Sequence, residues 1–504
     1  MPAAITPTTN PVRTGRALTN LPNSLQSTRP ERQVDGALGY AMMKALLIST
    51  YDLGHQPLGL ASPAAWLRKA GADVHCLDLA VEEFDEYAVT SADLVAIHVP
   101  MHTATRLAEM TILRIRQINP TAQLCCFGLY APMNADWLQK LGVEYIIGGE
   151  YEQPLTDIYR SLGGNTPATS APVHISLEKQ NFHLPDRREL PSLGQYAQLI
   201  WPDDRRGLVG YTEASRGCKH LCRHCPVVPV YNGQFRVIQR DIVMADIRQL
   251  VAHGAEHITF GDPDFFNGPG HALSLIGLLH EEFPDLTYDV IIKIEHLIAQ
   301  ADKIPVLKKT GCLFVTTAVE SVEDRILGLL DKGHTRADFI EAAELCRNHS
   351  LDLSPTFIPF TPWTTRQGYV DLLATVHELG LVDSLAPIQL AIRLLVPNGS
   401  RLLELDEWRE HEDVFDESTL SFRWAHPDPA VEYLHAAVRD LVSAGEERET
   451  SRREIFQEIW RAAHDSMGLQ SPSLTFESAL PTQPHMSEAW YCCAEPSDLQ
   501  LARM

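Results

Sequence analysis

Short apolar runs alternate with longer stretches of helical period through most of this chain. Lys44–Thr50, Asp73–Leu77, Asp93–Val99, Gln123–Gly128 and Glu144–Ile147 read as strands, with helices at Ser62–Ala70, Thr103–Ile118 and Trp137–Leu141 between them. Apolar runs joined through helices predict a doubly wound, Rossmann-like parallel sheet, whose ligands sit at the carboxyl ends of its strands. The alternation resumes after Gly207. Arg240–His253, Ala272–Phe283, Ala301–Thr310, Arg336–Asn348 and Arg366–Leu379 have helical spacing. His257–Phe260, Tyr288–Ile294, Leu313–Ala318, Ser354–Ile358 and Pro387–Leu394 read as strands, and with the apolar run Leu208–Tyr211 they make six strand–helix units. The fold class is therefore α/β throughout.

The segments without such a period divide the chain. Residues 1–42, rich in Pro, Thr, Asn and Arg, predict a disordered extension before a first domain at 43–164. Residues 165–206, rich in Pro, Asn and Ser, read as linker, and the second domain is placed at 207–403. An acidic stretch at 404–417 opens the region 404–470 and reads as a solvated surface. Its helical part, Ala430–Arg461, carries Val431, Leu434, Val438, Leu441, Ile455, Phe456 and Ile459, a stripe suited to covering the open side of the second domain. Residues 471–504 read as a flexible tail.

Composition narrows the function. A net charge of −23 over 504 residues argues against a nucleic-acid surface, and no apolar run is long enough to span a membrane. The ten cysteines are clustered rather than spread as a disulfide framework, which suits a reducing, cytoplasmic setting. Cys125 and Cys126 lie in a strand and read as buried apolar residues.

Candidate chemistry concentrates in Glu213–Pro226, EASRGCKHLCRHCP, where Cys218, Cys222 and Cys225 stand at C-x3-C-x2-C spacing. Three thiolates on one tight loop suit zinc or an iron–sulfur cluster. With zinc, His220, His224 or a distant cysteine would complete the tetrahedron. With a four-iron cluster, one iron stays open to a small molecule. The spacing resembles that of the radical S-adenosylmethionine (SAM) superfamily, over roughly Gly207 to Leu403. The resemblance implies a partial (β/α)6 barrel, a 4Fe-4S cluster on Cys218, Cys222 and Cys225, and reductive cleavage of SAM to a deoxyadenosyl radical. It implies a SAM contact at Gly261, Asp262 and Asp264, where Gly-Asp-Pro-Asp stands in place of the commoner Gly-Gly-Glu. The two acids also suit capping of the next helix. By the same resemblance, Glu320 or Ser321 at a later strand end is similar to the family's ribose-binding position. Arg393 suits the methionine carboxylate and equally suits pairing with an acidic neighbour.

The first domain resembles the cobalamin-binding domain that precedes many radical SAM cores, on the turn QPLGLAS (Gln56–Ser62) and the segment IIGGEYE (Ile146–Glu152). That likeness implies cofactor contacts at Gly59, Gly128 and Gly149. Asp52, His55 and Gly59 depart from the spacing of the lower-ligand motif, and some relatives keep the fold without the cofactor, so cobalamin binding stays open. Near the end, Cys492, Cys493, Ala494, Glu495 and Pro496 resemble the tail of the CUAEP/CCAEP radical SAM family, in which some members carry selenocysteine at the place of Cys493. This implies a catalytic, redox-active Cys493 with Cys492 as its resolving partner. The expected partners are a small-molecule or peptide substrate and an electron donor such as flavodoxin or ferredoxin, with no nucleic acid and no membrane. Methyl transfer to an unactivated carbon follows if cobalamin is bound. The rival readings are a non-enzymatic corrinoid sensor or carrier, and a zinc-stapled scaffold.

Overall fold

Neighbouring residues along the first-domain strands enter two separate cores. Leu46 and Ile48, Val95 and Ile97, Leu124 and Cys126 pack on one side of the sheet, whereas Ala45 and Leu47, Leu94 and Ala96, Cys125 and Phe127 pack on the other. That period of two, apolar at every position, leaves both faces of a sheet to be covered by helices. The computed structural model describes residues 42–164, 172–409, 414–476, 483–488 and 500. The extension expected over 1–42 lies outside the described residues apart from Met42, as does the Cys492–Cys493 pair.

Strands β1 (Lys44–Ser49), β2 (Asp73–Asp78), β3 (Leu94–His98), β4 (Gln123–Phe127), β5 (Tyr145–Gly149) and β6 (Val173–Ser176) form one parallel sheet in the order β2-β1-β3-β4-β5-β6. Helices α1 (Leu58–Lys69), α2 (Glu86–Ser91), α3 (His102–Ile118), α4 (Ala135–Lys140) and α5 (Glu152–Leu162) connect the strands. The sheet order reverses at β1, between β2 and β3, which opens a crevice at the carboxyl ends. Strand β6 comes from the stretch expected to be linker: Val173–Ser176 pairs with Ile146–Gly149. Exposed His174 and Ile175 had disguised it, because an edge strand need not be apolar.

The second sheet runs β14-β13-β12-β11-β8-β7-β17. Its strands β8 (Arg206–Thr212), β11 (His257–Phe260), β12 (Thr287–Ile291), β13 (Cys312–Glu320) and β14 (Asp352–Phe357) are parallel and make the curled half-barrel. Strand β7 (Gln198–Ile200) adds antiparallel to β8, and β17 (His485–Met486) antiparallel to β7. A ribbon of β9 (Ser215–Gly217) and β10 (Phe235–Val237) flanks the cysteine loop, and β15 (Phe415–Asp416) with β16 (Ser421–Phe422) closes a small hairpin. Helices α6 (Val228–Tyr231), α7 (Arg240–Ala252), α8 (Pro269–Glu282), α9 (Ile294–Ala299), α10 (Ile304–Lys309), α11 (Asp324–Leu330), α12 (Arg336–Asn348) and α13 (Arg366–Glu378) link the strands.

The sixth barrel strand expected at Pro387–Leu394 does not form. Pro387–Leu390 is a 3-10 turn, and the parallel pairing shrinks to a bridge between Phe360 and Arg393. Pro387 cannot donate to a ladder, and the Gln389 side chain accepts the N–H of Phe357 at 3.1 Å where a strand backbone would have done so. Helices α14 (Pro429–Glu447) and α15 (Arg452–Asp465) close this side, with Val431, Leu434, Val438, Ile455, Phe456 and Ile459 in the barrel's own core. Reciprocal capping boxes, Thr335 with Asp338 and Ser451 with Glu454, fix where α12 and α15 start.

Candidate active site between two sheets

The carboxyl ends of both sheets open into one cavity of about 380 Å³. Asp52, His55, Gly59, His98, Gly128 and Gly149 line it from the first domain. The cysteine loop, Gly261, Asp264, Lys293, Glu320 and Lys332 line it from the second. Two buried arginines lock the halves in this pose. Arg216, just before the cysteines, reaches Glu152 at 2.9 Å and Glu213 at 2.7 Å, with Glu150 at 3.7 Å. Arg187 binds Asp246 at 2.7 Å, the Gln56 amide at 2.7 Å and the Tyr211 carbonyl at 2.7 Å. The motifs IIGGEYE and QPLGLAS thus supply interdomain anchors as well as cavity wall. Removing one partner of such a buried pair costs about 3–5 kcal/mol, so the cavity shape is held firmly.

The first-domain mouth is a cradle of glycines. A Cβ on Gly59 would lie 2.1 Å from the His98 ring, and one on Gly149 (φ +74°) 2.1 Å from the Ser176 carbonyl oxygen. Gly128 has φ +115°, with the Val99 carbonyl 3.0 Å from where its Cβ would be. Only glycine fits these positions, and it leaves the backbone open to a close-fitting ligand. His98 closes the cradle. Burial, helped by Arg216, pushes its imidazole down to about 3, so it is neutral, and its Nδ1 has no hydrogen-bond partner. His55 stacks on Tyr211, with ring centroids 4.7 Å apart, and burial pushes it down to about 4.

The second-domain mouth is charged. Cys222 is buried, and Cys218 and Cys225, together with Leu129 of the first domain and Leu177 just past β6, pack on Val227, Val230 and Tyr231. Burial raises the Cys218 and Cys225 thiols. Neighbouring elements pin the loop. Asn267 Oδ1 accepts from Lys219 N at 3.1 Å, Leu330 O accepts from Arg223 N at 2.9 Å, and Ser400 donates to Arg223 O at 3.0 Å. Gly217 (φ +78°) is required, because a Cβ there would lie 2.5 Å from the Gln234 carbonyl oxygen. Three thiols on one pinned loop suit a cluster that takes one sulfur on each of three irons.

Glu320 stands at the end of β13 with φ +67°, a strained backbone for a buried non-glycine residue. Burial opposes its charge, but Lys332 at 3.2 Å and His224 at 3.1 Å outweigh it and hold the carboxyl at about 2. For Lys332, burial likewise opposes the charge, and Glu320 and the neighbouring thiols of Cys222 and Cys225 keep its pKa above the ordinary value.

The remaining expected residues divide. Gly261 lines the cavity, and a Cβ on it would overlap the Tyr211 hydroxyl at 1.8 Å. Asp264 lines the cavity and also caps the turn after it, accepting from Phe266 N at 3.1 Å. Asp262 does not line the cavity: its carboxylate accepts from Ala214 N at 2.8 Å and Ser215 Oγ at 2.5 Å, which makes it the latch of the cysteine loop. Ser321 faces a turn instead, accepting from Glu323 N at 3.1 Å. Arg393 reaches the cavity wall, but its guanidinium is engaged by Glu432 at 2.7 Å and lies 3.5 Å over Trp424. The acidic-neighbour alternative is the one the structure adopts. The sequence pattern does not single out Lys293, Lys332 or Arg216 as cavity residues. Lys293 stands two residues past the end of β12, which is a readable signal, whereas Lys332 lies after α11 and meets Glu320 only in the fold.

Residues 212–374 match the model of the Radical SAM superfamily. This part of the chain is a radical SAM domain. The ribosomal protein methylthiotransferase RimO of Syntrophotalea carbinolica is 28% identical over 188 residues, covering 33% of this chain and 39% of that protein. The hopanoid C-3 methylase of Methylococcus capsulatus is 21% identical over 339 residues, 63% of this chain and 64% of that protein. The chain therefore spans less than two thirds of the length of these curated relatives. Among solved structures, the radical SAM methyltransferase TsrM of Kitasatospora setae, with tryptophan substrate and a SAM analogue bound, superposes with a TM-score of 0.56 at 18% identity. It covers 74% of this chain and 77% of its own. The cobalamin-dependent SAM radical enzyme OxsB, with aqua-cobalamin bound, gives a TM-score of 0.58 at 14% identity, covering 81% of this chain and 67% of its own. These likenesses extend the shared fold beyond the radical SAM domain. No helix among the described residues is long and apolar enough to cross a membrane.

Proposed function

We propose that this chain is a cobalamin-dependent radical SAM enzyme, and that it methylates a small molecule or peptide segment held between its two sheet mouths. The observation that carries the reading is the single cavity lined at one end by the cysteine loop and at the other by the Gly59–Gly128–Gly149 cradle. In this reading Cys218, Cys222 and Cys225 hold a 4Fe-4S cluster. Gly261, Asp264, Glu320 and Lys332 position SAM, and the glycine cradle with His98 receives a corrinoid. When bound, these groups supply one-electron reduction and a transferable methyl group. The protein's own residues orient and shield. Glu320 is held ionised to accept from hydroxyl groups, and Arg216 and Arg187 keep the domains closed against water. TsrM and OxsB are described as a SAM radical methyltransferase and a cobalamin-dependent SAM radical enzyme, which supports this assignment.

The proposal extends to membership of the CUAEP/CCAEP-tail family, with Cys493 redox-active and Cys492 resolving it. Its support is the sequence Cys492–Pro496 itself, and for a role at the cavity the anchorage of the preceding segment. His485 and Met486 pair with β7, and Tyr51 donates to Glu488 at 2.6 Å, beside the loop Asp52–His55 that lines the cavity. Five residues of extended chain, at about 3.3–3.6 Å each, let Cys493 reach at most about 18 Å from Glu488. A cytoplasmic reductant of the flavodoxin or ferredoxin class completes the scheme.

Anaerobic purification and reconstitution test it, with iron, sulfide, zinc and corrinoid quantified together and SAM then added with a strong reductant. About four irons and about one corrinoid per chain, with deoxyadenosine released, are expected. Iron without corrinoid would remove the methyl-transfer branch. Zinc without sulfide would leave a stapled scaffold.

A further inference from the structure

Beside the cysteine sulfurs, three other ligating side chains converge from three separate segments. His220 belongs to the cysteine loop, Asp264 to the turn after β11, and His296 to the first turn of α9. One ligand atom from each lies within 4.8 Å of the other two, and no other His, Cys, Asp or Glu group among the described residues meets that measure. His220 Nε2 is 3.3 Å from His296 Nε2 and 3.8 Å from Asp264 Oδ2, and the same Oδ2 is 2.6 Å from His296 Nδ1. Asp264 is 1% exposed. Its Oδ1 accepts from Phe266 N at 3.1 Å, but its Oδ2 accepts no well-aligned hydrogen bond, and His296 Nδ1 makes none either. A buried carboxylate oxygen faced by two imidazoles, neither of them aligned to donate to it, is the usual wall of a cation site.

We propose that His220, Asp264 and His296 bind a divalent first-row transition ion of the zinc or ferrous-iron type, separate from any metal held by the three cysteines. Two imidazoles and one carboxylate form a donor set typical of such ions, and they leave coordination positions free. Binding through His220 Nε2 puts that ring's proton on Nδ1, where Glu295 Oε2, 3.5 Å away, can accept it. Lys293, now 3.0 Å from Nδ1, keeps Glu295 as its counter-ion at 3.1 Å. His220 and Asp264 both line the cavity, so the free positions face it and suit a carboxylate or hydroxyl group of a bound molecule.

The test uses the full-length, reconstituted protein, treated with a chelator that spares the cluster, loaded with Zn(II) alone and desalted. The expected result is about one zinc per chain beyond the cluster iron. His296→Ala and Asp264→Asn should each lower zinc retention about tenfold or more with iron and sulfide unchanged. If the variants fail to fold, X-ray absorption at the zinc edge of the wild-type protein decides: nitrogen and oxygen neighbours support the site, and sulfur neighbours overturn it. No retained zinc in the wild type, or equal retention in folded His296→Ala and Asp264→Asn, also overturns it.

Discussion

The two mouths that share the cavity are built on opposite principles. The first-domain mouth is a surface of backbone, with Gly59, Gly128 and Gly149 cut back to nothing and His98 held neutral by burial. The second-domain mouth is crowded with ionisable groups, with three thiols, Lys293, Lys332, His220, His224 and Glu320 at its rim. Both lie at the carboxyl ends of parallel strands, so topology does not make the difference. Side-chain removal suits a broad, rigid, largely apolar ligand, whereas fixed charges suit a small ionic cofactor and a cluster. The same strand-end geometry thus takes opposite chemical character from what the sequence leaves out as much as from what it places there.

The sharpest way to break the comparison is to strip one mouth and ask whether the other notices. Cys222→Ala should abolish cluster iron and deoxyadenosine formation while corrinoid content stays near the wild-type level. Parallel iron and corrinoid assays check this. Gly59→Val is the reciprocal change. Its side chain must displace the His98 ring, an overpacking that costs about 1–3 kcal/mol of stability. Corrinoid content should fall about tenfold, a loss of about 1.4 kcal/mol, with iron unchanged.

Glu320→Gln removes the counter-charge of buried Lys332 and should lower stability by about 3 kcal/mol, read as a drop in the urea midpoint, without loss of iron. It should also raise the KM for SAM. An unchanged midpoint would mean that the charged rim is not held by that pair.

The smallest effect is a pH slope. Burial raises the Asp262 carboxyl to about 7, although Ser215 and Ala214 donate to it. Its folded value therefore exceeds the unfolded one of about 3.9. Folding takes up a proton between them, so its contribution falls as pH rises from about 4 towards about 7. The urea midpoint of the wild type should decline from pH 5 to pH 7.5 more than that of Asp262→Asn. Equal slopes would remove Asp262 as the titrating latch.

Much of this site was legible in the sequence because its parts are local. The cysteine loop declares itself by spacing, Gly128 follows β4, Gly149 ends β5 and Gly59 lies in the first turn of α1. What was hidden depends on partners far along the chain. Arg393 pairs with Glu432, Lys332 with Glu320, and Arg216 with Glu150 and Glu152, and none of these distances is written in a motif. Strand β6 was missed because an edge strand is half polar. Pro387–Leu394 reads as a strand because its composition is apolar, while Pro387 and the Gln389 side chain end the ladder. His220 reads in the sequence only as a candidate fourth ligand for zinc on the cysteines, and only the fold brings it to Asp264 and His296.

The most direct test of the account is whether the two mouths hold two cofactors facing one space. Electron paramagnetic resonance of the reconstituted protein, reduced so that both cluster and cobalt are paramagnetic, measures this in one spectrum. The account predicts that each signal is broadened or split by the other and that Cys222→Ala restores an isolated cobalt spectrum. Two additive, undisturbed signals, or no cobalt signal beside an intact cluster, would contradict it.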